Sequence, residues 1–285
     1  SGQFPNDPTD SVVVGGGTNG LGNHIVSLND STTVSGVIVG TNATNTGTLN
    51  TNTFVVKGNS FEVRNNSTLG VGSAVGISNI GLPIGNIQTI GTRTFSKLAN
   101  YDYNGSSNQQ FGNALPDSVR GLYVTNVGPF GANTVTSNKN IIVRDSVNIR
   151  KGRLNIATFT SNAYGPSAGF SILDSAFLRI EGTNNMNTSL SGFAAYFIGI
   201  NSFVEFFGTN QTITPAPNAG VGYGNVVTSQ NGTKQVTVPV LIRRNLVNEQ
   251  GSFLKVQPGV EALTIEGSII NSAPVDNEGT IEIGS

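Results

Sequence analysis

Short apolar runs alternate with clusters of Asn, Gly and Ser along most of the chain. Ser11–Val14, His24–Leu28, Val34–Val39, Thr53–Val56, Ser60–Val63 and Thr68–Val71 are rich in Val, Ile, Phe and Thr, residues that suit a pleated, half-buried surface. No stretch sustains the 3.6-residue apolar period of an amphipathic helix. Asn-Gly, Gly-Asn, Asn-Asn and Asn-Ser pairs divide the runs, and these tolerate the left-handed backbone that tight corners need. The pattern predicts an all-β protein.

The runs also repeat. Tyr101–Ile156 and Phe207–Val256 are two versions of one text, about 100 residues apart. Gly47-Thr-Leu49-Asn50-x-x-Thr53-Phe54 returns as Gly152-Arg-Leu154-Asn155-x-x-Thr158-Phe159, at an offset of 105 residues, and more loosely as Gly251-Ser-Phe253-Leu254. A second word, Phe54-Val-Val56-Lys57-Gly58, recurs as Leu178-Arg-Ile180-Glu181-Gly182 and Leu263-Thr-Ile265-Glu266-Gly267. The spacing between the words varies, which a solenoid absorbs by letting loops of different length leave a constant core. These features predict a right-handed parallel β-helix, with tandem β-sandwich domains as the alternative. Each coil would use roughly 20–25 residues and advance about 4.8 Å, giving about a dozen coils. The text divides into leading coils (1–95), a first repeat unit (96–190) and a second (191–285) within one continuous solenoid.

Composition narrows the function. Charged residues make up 11% of the 285 and the formal net charge is −1, which argues against nucleic acid as a partner. Cysteine is absent, so there is neither a disulfide framework nor a thiolate metal site. The opening SGQFPNDPTD lacks the basic and apolar segments of a signal peptide. The most apolar stretch, Phe193–Phe207, is too short to span a bilayer and contains Glu205, so the chain reads as not membrane-spanning.

Three further strings carry a family resemblance. They are Ser202-Phe-Val-Glu-Phe-Phe-Gly208-x-x-Gln211-Thr-Ile213, then Tyr223-Gly-Asn225 with Asn231-Gly-Thr-Lys234, and the looser copy Tyr101-Asp-Tyr103-Asn-Gly105 to Gln109. With the opening Phe4-Pro5 and Asp10-Ser-Val-Val-Val14, they resemble modules of large Bacteroidota surface adhesins. Those adhesins are of the gliding-motility or attachment type, with filamentous-haemagglutinin-like β-helix repeats. The resemblance implies export by the type IX secretion machinery and an extracellular, cell-surface location. It also implies contact with cell-surface or environmental polysaccharide and self-association into filaments. The C-terminal sorting domain typical of that route is not evident in this stretch.

Asp occurs eight times, and five of these precede Ser followed by Val, Thr or Ala. With Ser near a tenth of the chain, about one such pair is expected by composition. The words resemble the Asp-Ser/Thr-apolar acceptor of Bacteroidota O-glycosylation, which makes Ser11, Ser31, Ser118, Ser146 and Ser175 glycosylation candidates. Asp-Ser is also an ordinary turn dipeptide that a repeat would copy.

Catalytic chemistry is sparse. A glycan-cleaving β-helix needs clustered carboxylates, and nothing in the spacing compels Glu205, Glu249, Glu261 and Glu266 to meet. His24 is the only histidine and lies in no nucleophile-elbow motif. Calcium-binding nonapeptides, EF-hand loops and phosphate loops are missing, so no catalytic residue, metal site or cofactor is expected. Arg144, Arg150, Lys151 and Arg153, echoed by Arg243 and Arg244, are glycan-contact candidates if stacking aligns them. Tyr101, Tyr103, Phe206 and Phe207 would stack on sugars if outward, and at least one of each pair is expected in the core. The reading is a non-catalytic structural or adhesive segment. A polysaccharide-degrading β-helix enzyme and a phage-type tail fibre are the alternatives.

Overall fold

The computed structural model describes residues 5–15, 24–41, 46–217, 222–259 and 263–284. The chain is almost all β, and its parallel strands stack as a β-solenoid of about 11 turns. It divides into two compact units, Ser1–Ser146 and Val147–Ser285. The division falls inside the strand Ile141–Lys151. Among the described residues no helix is long and apolar enough to cross a membrane.

In the first unit, one sheet runs Ser11–Val14, Thr32–Val39, Val56–Val63, Arg93–Phe95. A second runs His24–Ser27, Gly47–Asn50, Thr68–Val71, Asn100–Tyr103, Ser118–Thr125. Alternate side chains point inward and stack along the register, because a strand sends successive residues to opposite faces. Leu49, Leu69, Tyr101 and Leu122 form one such column, and all are buried. The steps between them are 20, 32 and 21 residues. The long step contains an extra loop, residues 72–92. The buried phenols in this column and the next find acceptors: Tyr101 Oη donates to Ser96 O at 2.8 Å and Tyr103 Oη to Phe111 O at 2.7 Å.

In the second unit, one flank consists of Arg153–Asn155, Phe177–Ile180, Phe203–Phe206, Asn225–Thr228, Leu246–Asn248 and Ile269–Asn271. Leu154, Leu178, Val204, Val226, Leu246 and Ile269 stack there at steps of 24, 26, 22, 20 and 23 residues. Gln211–Ile213, Gly232–Val236, Ser252–Val256 and Val275–Asn277 form another flank. Val240–Ile242, Leu263–Ile265 and Ile281–Ile283 form a third.

The repeated words build corners. Asn52 and Ala157 hold the same place in their words and both have positive φ, 51° and 55°. The same turn bond follows each: Phe54 N to Thr51 O at 3.0 Å and Phe159 N to Ile156 O at 3.1 Å. The third version, Gly251 to Leu254, is not in phase. Its buried Leu254 follows the glycine by three positions, whereas Leu49 and Leu154 follow theirs by two.

A second corner has the same form in each of the two longer copies. Gln109 Oε1 accepts from Gly105 N at 2.9 Å, and its Nε2 donates to Val71 O at 2.7 Å and Ser73 O at 3.1 Å. Gln211 Oε1 accepts from Gly208 N at 2.6 Å, and its Nε2 donates to Ile180 O at 3.1 Å and Asn184 O at 2.9 Å. Each amide closes its own corner and clips it to the preceding coil. At Gly208 a Cβ would lie 1.8 Å from Gly182 O, so only glycine allows this approach.

Candidate functional site

The solenoid wall is interrupted in the first unit. The sheet that begins at Ser11–Val14 ends at Arg93–Phe95, whose inward columns are Val12–Val37–Phe61–Arg93 and Val14–Val39–Val63–Phe95. Arg93 therefore occupies a position filled by apolar side chains in earlier coils. The facing segment, residues 111–117, is not a strand. Pro116 has no N–H to give to a ladder. Phe111 O accepts from Ile77 N, Ala114 N donates to Ile77 O, and Asn113 Oδ1 accepts from Asn79 N. This segment thus bonds to the extra loop. A groove of about 660 Å³ opens between it and Arg93–Phe95.

Arg93 is held by carbonyls. Nε donates to Thr89 O at 3.1 Å, Nη2 to the same oxygen at 2.7 Å, and Nη1 to Ser78 O at 2.9 Å and Asn79 O at 2.7 Å. Among the described residues no carboxylate pairs with it, and burial lowers its pKa from the usual arginine value. Across the groove, Lys139 Nζ donates to Leu115 O and to Asp117 Oδ1, both at 2.8 Å. Arg93, Lys139 and Asp117 thus line one groove, and Asp117 projects largely into solvent.

The outer face of the second unit carries an ion and aromatic ladder. Phe177 and Phe203 stack at 4.3 Å with 6° between their planes, and the Arg153 guanidinium lies 5.0 Å from the Phe177 ring centre. Phe177 thus has one face against Phe203 and the other against Arg153. Alongside, Arg179 grips Glu205 with two bonds of 2.9 and 3.0 Å and lies 4.0 Å from the Phe207 ring centre. Glu205 also accepts from Ser229 Oγ at 2.8 Å, and Arg153 is 3.7 Å away. Burial lowers the Arg153 pKa, and Glu205 acts in the opposite direction. With these groups on both its oxygens, Glu205 is an anchor for two guanidiniums.

The other carboxylates are dispersed. Glu249 and Glu266 are exposed, and Glu261 lies outside the described residues. Among the described residues, no group of three or more His, Asp or Glu could hold a metal ion. His24 is an exposed strand residue. Tyr101, Tyr103 and Phe206 are core residues, while Phe207 is half-buried beneath Arg179.

The structure does not gather the basic candidates of the second unit into one stripe. Arg150, Lys151 and Arg244 are exposed. Arg153 belongs to the ladder, and Arg243 Nη2 donates to Ile198 O. The positions stacked on Arg153 are Phe177, Phe203 and Asn225. Arg244 donates its backbone N–H to Gly224 O, so it lies four coils from Arg153, about 19 Å at the usual strand spacing. In the first unit, Arg144 Nε donates to Ser118 Oγ at 3.1 Å.

The Asp-Ser words share a pattern. Asp10, Asp30, Asp117, Asp145 and Asp174 are all exposed, whereas Thr32, Val119, Val147 and Ala176 are buried and Val12 is half-buried. Each word marks a passage of the chain from solvent to the core. Ser11, Ser31 and Ser175 are exposed, and Ser118 and Ser146 are half-buried. Ser31 Oγ accepts from Val55 N at 3.1 Å.

Sequence reasoning passed over Arg93 and the Phe177–Phe203 stack. The stack had a signal, the 26-residue spacing of two Phe in similar words. Arg93 had none, because its inward column follows only from the register across the extra loop. Comparison with protein-family models, curated proteins and solved structures finds no match.

Proposed function

We propose that this chain is a non-catalytic structural and adhesive segment of a secreted bacterial cell-surface protein. The observation that carries this reading is the use made of the repeated residues. The Leu49 and Leu154 words, and the Gln109 and Gln211 clips, form corners and core in both copies. What the chain repeats is the means of stacking coils, while its loops differ in length. Such a scaffold sets many modest contacts in a row, and these add as avidity. On this reading the partners are the type IX secretion machinery, environmental or cell-surface polysaccharide, and further copies assembled into filaments. Beads coated with the chain should resist detachment from polysaccharide-coated glass under flow. Detachment at the same shear as uncoated beads would remove the adhesive role.

O-glycosylation at the Asp-Ser words belongs to the same proposal. The exposed aspartates beside inward apolar residues support it, since a glycan there would stand clear of the core. Ser11 and Ser175 are the best presented, while Ser31 is exposed but accepts from Val55 N and Ser118 is engaged by Arg144. Glycopeptide mass spectrometry of protein from its native source should find Ser11 and Ser175 modified more fully than Ser118 and Ser146. Unmodified serine at all five positions would end the idea.

A further inference from the structure

The groove beside Arg93–Phe95 has the chemistry of a small binding site. Its volume, about 660 Å³, lies within the range of about 300–1,000 Å³ usual for small-ligand clefts. It is lined by Phe95, Leu115 and Pro116 on the apolar side and by Asn79, Asn113, Arg93 and Lys139 on the polar side. The bonds to Thr89, Ser78 and Asn79 occupy the Nε–H, both Nη1–H and one Nη2–H of Arg93. One Nη2–H is left over. Lys139 likewise uses two of its three N–H groups, on Leu115 O and Asp117 Oδ1. Two cationic donors are thus directed by bonds that fix their positions, with one positive charge in excess of Asp117. A carboxylate offers two oxygens and one negative charge, and donors bearing full charge favour such an acceptor over a neutral one. Ring C–H faces suit Phe95 and Pro116, and ring hydroxyls suit the amides of Asn79 and Asn113.

We propose that this groove binds a hexuronic-acid residue of an acidic polysaccharide. The carboxylate would bridge Arg93 and Lys139, and the sugar ring would lie on Phe95 and Pro116. This rests on the adhesive reading and names its ligand class. An extended peptide adding to the free strand edge fits less well. That edge is three residues long, and the opposite wall is an irregular segment interrupted by Pro116.

The probe is a linear trimer of mannuronic acid, titrated into the full chain by calorimetry, with mannotriose as its uncharged counterpart. The acidic trimer should bind, weaken as salt is raised, and lose about tenfold in affinity in Lys139→Gln, the effect of one lost charge-assisted contact. Lys139→Arg should restore most of it. Thermal unfolding of each variant is read in parallel, so that a loss of fold is not scored as a loss of contact. A Lys139→Gln variant that unfolds is replaced by Asn113→Ala, for which a drop in affinity is again expected. The proposal is overturned by equal binding of mannotriose, by no binding of the acidic trimer, by an unchanged affinity in the folded variants, or by preference for a sulfated trimer or a strand-forming peptide. Bead adhesion separates the two levels. If Lys139→Gln beads hold as firmly as wild type on mannuronate-coated glass, the groove is refuted and the adhesive role stands. If the trimer binds but wild-type beads do not hold, the adhesive role fails and the groove stands.

Discussion

Replacing Lys234 by Met should make the protein more stable at neutral pH. Lys234 lies in the inward column Gln211–Lys234–Leu254 and is fully buried. Its Nζ donates to Gln230 O at 3.3 Å, and among the described residues it pairs with no carboxylate. Burial lowers its pKa from 10.5 to about 8, because charging an amine away from water is unfavourable. Unfolding therefore takes up a proton between pH 8 and 10.5, and stability rises as pH climbs through that window. Below pH 8 the full penalty applies, about 3 kcal/mol at roughly 1.4 kcal/mol per pH unit. Met keeps an unbranched stem and has no charge to desolvate. With the long Gln230 bond lost, its gain should be about 2–3 kcal/mol at pH 7. The assay is urea unfolding followed by far-ultraviolet circular dichroism, the chain having no Trp, for both proteins from pH 7 to 9.5. The difference between them should shrink as pH rises. Buried Tyr101, Tyr103 and Tyr223 have raised pKa values, but they act equally in both proteins and cancel. A lower midpoint for the variant at pH 7, or a difference independent of pH, would refute a buried, unpaired lysine.

Val236→Asp puts a carboxyl in the column Ile213–Val236–Val256 and should cost about 4 kcal/mol or more at pH 7. The loss should be smaller at pH 4, where the acid is neutral, and an unchanged melting temperature at both values would place Val236 outside the core. Gln211→Leu should cost about 1–3 kcal/mol, because the Gly208 N–H and Asn184 O lose the amide as partner, while Ile180 O keeps its bond from Phe207 N. Hydrogen exchange should show the Gly208 amide speeding up, and equal protection in the two proteins would count against the clip. Glu205→Gln leaves two guanidiniums without their anion in a nearly buried site and should lower stability by about 3 kcal/mol, read from the urea midpoint. Ala157→Gly should raise stability by up to about 1 kcal/mol, since Ala157 holds a positive φ that costs a residue with a Cβ. The corresponding Asn52→Gly should not stabilise, because it removes the bond from Asn52 Nδ2 to Leu28 O at 2.7 Å.

The architecture was legible because short β-rich runs and repeated words coincide in the text. The runs between turn clusters gave strands such as Thr68–Val71 residue for residue, and the recurrence of Leu49 as Leu154 gave the stacking. Gln109 and Gln211 were visible only as matched letters, and neither their corner position nor their bonding was, because the accepting carbonyls lie a coil earlier. The division into two units was not readable, because repeated words say only where coils resemble one another, and the division falls inside the strand Ile141–Lys151. Phase was the main source of error. One residue of slip, as in Gly251–Leu254, exchanges inward for outward positions. The basic candidates shared a composition but not a column, and only the register shows Phe177, Phe203 and Asn225 stacked next to Arg153. Arg93 was hidden by the extra loop, whose length cannot be subtracted until the coils are counted.

The stacking bonds of the second unit have a mechanical consequence. Phe203 N to Ala176 O, Asn225 N to Ser202 O and Leu246 N to Ser268 O each join one coil to its neighbour. They lie along the direction in which the coils are stacked. Tension in that direction loads them in series, so the outermost coil peels away while those beneath keep their bonds. Leu154, Leu178, Val204, Val226 and Leu246 are separated by 24, 26, 22 and 20 residues. At about 3.4 Å per extended residue, each peeled coil would release roughly 70–90 Å of chain. A tether built this way lengthens in steps under load, and relaxation lets each coil wind back onto the template left beneath it.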